Sequence, residues 1–288
     1  HSRTRKKRGL EYSNGHFVID GLPFFVVGAE YQYYRDRSHS WQEKLRIIRD
    51  SGSNTISFYV PWRHHLVSDT PQEFDFSGRT DESRDVAGFI DMIHEEGLLA
   101  IAKPGPFVHS ELNIGGLPDM VSPSFNRDAI PALDHLDEAV TWEYDGSILP
   151  APFDPRFLEL SREWLAAVGE ILRPAVYPEG PLIGVQLNDE TLYCTSNSPP
   201  WVIGYEKSSL RAYREATGNS LSRLPRQIPI EYDDESSLLD LLAWSQYQWW
   251  LKRESYRRYR DFLNIDVPHL SNHAGITPPI EENVPREG

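Results

Sequence analysis

Apolar runs of strand length alternate with stretches of helical periodicity along this chain, and that alternation restricts the fold more than any other feature. PFFVVGAEYQYY (23–34) is apolar enough for a buried strand. SWQEKLRIIRDSG (40–52) follows with Trp41, Leu45 and Ile48 at helical spacing, Ser40 as the expected cap and Gly52 as the stop. NTISFYVPW (54–62) reads as a strand closed by Pro61, and DESRDVAGFIDMIHEEG (81–97) as a helix with Val86, Phe89, Ile90 and Ile93 on one face. LLAIAKPGPF (98–107) is a third strand, and residues 154–176 form a third helix with Phe157, Leu160, Trp164 and Leu165 inward. PLIGVQLNDE (181–190), a long helical stretch (237–263) and DVPHLSNHAG (266–275) complete the order βαβαβαβαβ. Such an order specifies a parallel sheet or barrel.

Two insertions follow strands, at about 121–152 and 191–237, the second with a helix expected over YEKSSLRAYREATG (205–218). Both should lie on the face at the carboxyl ends of the strands, where α/β folds build their sites. The expected fold class is α/β, of the (β/α)8 TIM-barrel type. A complete barrel needs about 250 residues with short loops. With these insertions, about the first five β/α units occupy the 288 residues. The expected organisation is an N-terminal basic arm (1–20) and a partial barrel (21–288). The remaining barrel segment is expected from another chain or from missing sequence, because an open piece of barrel would expose two sheet edges.

Composition narrows the classes of function. A 39% hydrophobic and 12% aromatic content supplies a core and excludes a disordered chain. The net charge of −14 argues against a nucleic-acid partner, since phosphate binding needs a basic surface. HSRTRKKRG at the N-terminus is the basic exception; it reads as a solvated arm, with a nucleic-acid or membrane tail and a dibasic processing site before Gly9 as the alternatives. Cys194 is the only cysteine, which excludes an intrachain disulfide and a cysteine-rich metal site. No apolar run approaches the ~20 residues of a membrane helix, so no membrane partner is expected. His64 and His65 have no third ligand at a recognisable spacing, so no metal is expected there. The compartment is left open.

QLNDE (186–190) ends an apolar strand in two adjacent acids, Asp189 and Glu190. Together with SGSNTISFYVPWRHH (51–65) and EEGLLAIAKPGPFVHSELNIGGLP (95–118), and more weakly QYYRDRSHSW (32–41), it resembles the catalytic domain of glycoside hydrolase family 35. This is the β-galactosidase family of the clan A barrels, and the resemblance runs in order over roughly residues 21–275. It implies a retaining β-glycosidase acting on a terminal β-D-galactoside, with a carbohydrate substrate and no cofactor. Such enzymes flank the scissile bond with two carboxyl groups about 5–5.5 Å apart. Glu190 matches the acid/base, Tyr59 a sugar-binding tyrosine, and Glu111 a glutamate that holds sugar hydroxyls.

The chain also departs from the family pattern. Asp189 stands where the family keeps an asparagine near the sugar 2-hydroxyl, and an acid there disfavours ionisation of Glu190. His109 and Ser110 replace a common Cys-Ala, and Leu112 replaces a Trp. The family nucleophile follows a seventh strand and is not identifiable here; Glu281 and Glu282 are left unassigned. These departures keep two alternatives open: a non-catalytic carbohydrate-binding or structural relative, and another clan A glycosidase with a different sugar.

Overall fold

The computed structural model describes residues 9–189, 203–219 and 235–272. In chain order the strands and helices begin with β1 (Leu10–Ser13), β2 (His16–Ile19), β3 (Leu22–Phe24), β4 (Gly28–Glu30), α1 (Ser38–Asp50) and β5 (Thr55–Tyr59). Then come α2 (Trp62–His65), β6 (Leu66–Asp69), β7 (Gln72–Phe74), α3 (Val86–Glu95), β8 (Leu99–Gly105) and α4 (Pro155–Leu172). The last are β9 (Leu182–Leu187), α5 (Lys207–Thr217), α6 (Glu235–Leu263) and β10 (His269–Leu270). The chain divides into two compact units, one of residues 1–108, 161–189 and 259–271, the other of 109–160, 190–258 and 272–288.

The first unit holds a five-stranded sheet in the order β10-β9-β8-β5-β4. Every pairing in it is parallel. Among the strands of this sheet, spatial neighbours follow one another in chain order with a helix in each connection, the β6-β7 hairpin lying in the connection between β5 and β8. A doubly wound sheet reverses its strand order at a switch point; this one does not. The fold is α/β, and among the described residues β4 and β10 are the two edges.

Burial explains why these runs became strands. β9 is buried at every position and β5 at all but one, as a sheet covered on both faces requires. Tyr33, Trp41 and Phe58 pack around Phe89, with Tyr33 stacked on Phe89 at 5.0 Å between ring centroids. Each such aromatic pair adds about 0.5–1.5 kcal/mol beyond its buried area. Trp62 stacks on Trp164, whose indole N–H donates to the Pro104 carbonyl at 2.9 Å. Gly169 lets the two C-terminal helix ends of this unit approach, because a Cβ there would lie 2.4 Å from the Leu263 carbonyl oxygen.

Three expectations are corrected in detail. Residues 23–34 are not one buried strand: Leu22–Phe24 joins the antiparallel β1-β2-β3 sheet, and Phe25 is 84% exposed before β4 begins. Residues 10–19, expected to belong to the basic arm, supply the other two strands of that sheet. Ser40 is not the cap of α1, which starts at Ser38 behind Arg37 with no side-chain cap. The Ser40 hydroxyl instead donates to the Arg37 carbonyl. By contrast α3 is capped by Asp85, whose carboxylate accepts from the Gly88 N–H at 3.0 Å.

In the second unit, Tyr213 of α5 packs edge-on against Tyr247 and Trp250 of α6, and Phe153 stacks on Trp250. Between residues 131 and 150 the chain makes isolated bridges, Pro131 to Pro150, Leu133 to Ala139 and Thr141 to Ile148. Among the described residues no helix is long and apolar enough to cross a membrane.

Candidate functional site

At the carboxyl ends of β5 and β9 the first unit gathers a compact polar cluster. Tyr59, the last residue of β5, donates its hydroxyl to Asp189 Oδ2 at 2.8 Å. Gln186 in β9 donates its amide to Asp189 Oδ1 at 2.9 Å. The chain turns at Asn188, whose φ of 52° lies in the left-handed region that asparagine tolerates better than most residues. After this turn the Asp189 N–H reaches the Phe107 carbonyl at 3.1 Å. Asp189 is 6% exposed, and both its carboxyl oxygens accept from fixed donors.

The electrostatics keep this arrangement in one protonation pattern at Tyr59. Burial, and then the neighbouring Asp189 carboxylate, push the Tyr59 phenol well above its ordinary range, so it remains a donor. Lys103 in β8 places its ammonium 4.5 Å from the Tyr59 ring centroid and 2.5 Å from Glu30 Oε2. Gln32 donates to the other oxygen of Glu30 at 2.8 Å.

Tyr59 and Asp189, singled out from the sequence, are thus brought together. Glu190 lies outside the described residues, as do Cys194, Glu281 and Glu282. Gln186, Lys103 and Glu30 were missed. Their signal was present: an amide and an ammonium inside otherwise apolar, buried strands are seldom found without a partner.

Glu111 belongs to the second unit and is exposed on the loop that follows β8. His109, Ser110 and Glu111 have φ of 55°, 50° and 47°, three consecutive non-glycine residues in left-handed backbone. Each such residue costs about 1–2 kcal/mol, so the loop is held by its surroundings. His109 packs edge-on against Trp142 at 4.7 Å, the Trp142 indole donates to the Leu112 carbonyl, and Asp145 accepts from the Ile114 N–H. Gly115 and Gly116 continue the turn at φ of 58° and 85°, the geometry expected of the GGLP stretch.

His64 and His65 have structural partners. His65 is fully buried, with Nδ1 donating to the Asp75 carbonyl at 2.7 Å and Nε2 accepting from Tyr33 at 2.5 Å. Burial holds its pKa down at about 3, which keeps the ring neutral. His64 Nε2 meets the Ser83 carbonyl at 3.1 Å. Among the described residues no group of three or more His, Cys, Asp or Glu side chains is placed to hold a metal ion.

Comparison with known proteins agrees with the resemblance read from the sequence. The profile of Glycosyl hydrolases family 35 matches residues 16–123. An exo-beta-D-glucosaminidase of Thermococcus kodakarensis is 27% identical over 90% of this chain and 34% of its own length. A beta-galactosidase of Mus musculus is 32% identical over 65% of this chain and 25% of its own. A beta-1,2-glucosyltransferase of Ignavibacterium album is 30% identical over 62% of this chain and 24% of its own. The chain therefore spans a quarter to a third of the length of these relatives.

Proposed function

We propose, from the match of residues 16–123 to glycoside hydrolase family 35, that this chain carries the proton-donor side of a retaining β-glycosidase site. Glu190 acts as the general acid/base, and Tyr59 and Asp189 hold the sugar; the family resemblance gives Glu111 a sugar contact as well. Glu190 gives its proton to the leaving-group oxygen, then takes one from the water that releases the sugar. The second carboxylate, the nucleophile, is unassigned. The sequential strand order supports a (β/α)8 barrel as the frame, since an arc of barrel is wound in this way.

The observation that carries the reading is the Tyr59–Asp189–Gln186 cluster. It fixes the residue before Glu190 at the carboxyl ends of the sheet strands, where a barrel enzyme holds its substrate.

The family resemblance favours a β-galactoside, as the name of the mouse relative does. The cluster also supports a second sugar. Tyr59 and Gln186 both donate to residue 189, an arrangement suited to a carboxylate, whereas an asparagine would turn its NH2 toward one donor. A carboxylate beside the sugar 2-position pairs with an ammonium better than with a hydroxyl. That fits a 2-amino sugar, the substrate in the name of the Thermococcus relative.

An aryl β-D-glycoside panel on the native protein, run alongside Glu190→Gln, tests the proposal. Turnover of the galactoside or the glucosaminide that falls by about 10²–10⁴ in the variant supports it. Turnover unchanged by Glu190→Gln removes the acid/base assignment, and inactivity of the native protein toward the whole panel favours a binding role.

A further inference from the structure

The carboxyl ends of β4, β5, β8 and β9 carry a row of polar side chains whose members touch in sequence. Gln32 donates to Glu30, and Glu30 pairs with Lys103 at 2.5 Å. Lys103 sits over the Tyr59 ring at 4.5 Å, Tyr59 donates to Asp189, and Gln186 donates to Asp189 from the other side. The Lys103 side chain is 13% exposed, unusually low for a lysine, while that of Glu30 is 43% exposed. A nearly buried ammonium is retained only where carboxylates or ring faces replace its water. Among the described residues Lys103 has one of each, Glu30 and the Tyr59 ring.

We infer that Lys103 is a positioning residue for the sugar site: clamped by Glu30, its ammonium pins the Tyr59 ring so that the phenol reaches Asp189. The inference rests on the proposed role of Asp189 as a sugar contact. Tyr59 is the last residue of β5 and only 6% exposed, and its register partner in β8 is Lys103 itself. The ammonium lies over the ring face and adds a directional hold to the packing around it. Without it the ring is free to tilt, Asp189 loses a donor, and the carboxylate no longer presents one fixed geometry to the sugar. Proton transfer by Glu190 is not routed through Lys103, so binding should suffer more than the chemical step.

The test is a set of variants of the native protein: Lys103→Met, Lys103→Arg, Glu30→Gln, Tyr59→Phe and the Lys103→Met/Tyr59→Phe double variant. Lys103→Met should raise KM roughly tenfold while kcat stays within about threefold. Lys103→Arg should recover most of the loss, because a guanidinium still stacks on the ring and pairs with Glu30. Glu30→Gln should move KM in the same direction by less. Tyr59→Phe should add little to Lys103→Met, because the hydroxyl it removes is already misplaced. An unchanged KM in Lys103→Met, or additive effects in the double variant, would overturn the inference. A native protein that turns over none of the glycosides would refute the glycosidase reading separately. The Tm values of the native protein, the two single variants and the double variant then read the pinning: coupled losses support it, and additive losses refute it.

Discussion

Two buried polar clusters of the same unit differ in one respect. Around His65 every polar position is matched: one ring nitrogen donates to a carbonyl, the other accepts from Tyr33, and the ring is neutral. Around Asp189 the cluster lies at the carboxyl ends of β5 and β9, and it carries charge, with Lys103 and Glu30 beside it. The first arrangement holds α2 against the turn at Asp75 and has no capacity left. The second fixes the geometry of the Asp189 carboxylate. Burial of polar groups is common to both, so burial alone does not mark a site. Position at the strand ends and retained charge are what set the second cluster apart.

That contrast can be broken most sharply from the His65 side. His65→Ala should cost about 3 kcal/mol of stability, since it strands the Tyr33 hydroxyl and opens a cavity, while the KM of the folded fraction stays unchanged. Denaturant unfolding and kinetics on one preparation check this; a KM defect equal to that of a strand-end variant would erase the distinction. Tyr59→Phe should do the reverse, raising KM roughly tenfold with a smaller loss of Tm.

A third prediction concerns acid. His65 is neutral when folded with a pKa near 3 and has an ordinary value of 6.5 when unfolded, so the unfolded chain binds the extra proton between those limits. Stability from this residue is complete above pH 6.5 and is lost as pH falls toward 3. The slope approaches about 1.4 kcal/mol per pH unit from this group. His64 and His269, also lowered by burial, add in the same direction. His65→Gln should flatten the acid limb of a stability–pH curve, and an unaltered slope would contradict the closed cluster.

The smallest effect is expected on the loop that bears Glu111. Ser110→Gly removes left-handed strain at φ of 50° and should stabilise the protein by up to about 1 kcal/mol. A loss of stability would show that the Ser110 side chain contributes more than its backbone costs.

Much of the fold was legible because its signals are periodic. Trp41 and Leu45, and Val86, Phe89, Ile90 and Ile93, fall on the buried faces of α1 and α3 as their spacing requires. The apolar runs at 55–59 and 182–187 are interior strands of the sheet, on either side of β8. The β1-β2-β3 sheet was not legible, since its strands are three or four residues long and mostly exposed, which leaves almost no hydrophobic pattern. At the site, Tyr59 and Asp189 were found through family resemblance. Their contact spans 130 positions and has no local signature. Gln186 and Lys103 have one, a polar residue inside an otherwise apolar strand.

The central claim is that the Asp189 carboxylate, held by Tyr59 and Gln186, meets the substituent at the sugar 2-position and tells an ammonium from a hydroxyl. Asp189→Asn tests it most directly, with kcat/KM measured on aryl β-D-glucosaminide and aryl β-D-galactoside under the same conditions. The account predicts a ratio shifted toward the galactoside by roughly a hundredfold, the value of one charge-assisted contact. A substitution that lowers both substrates equally, or neither, would contradict it.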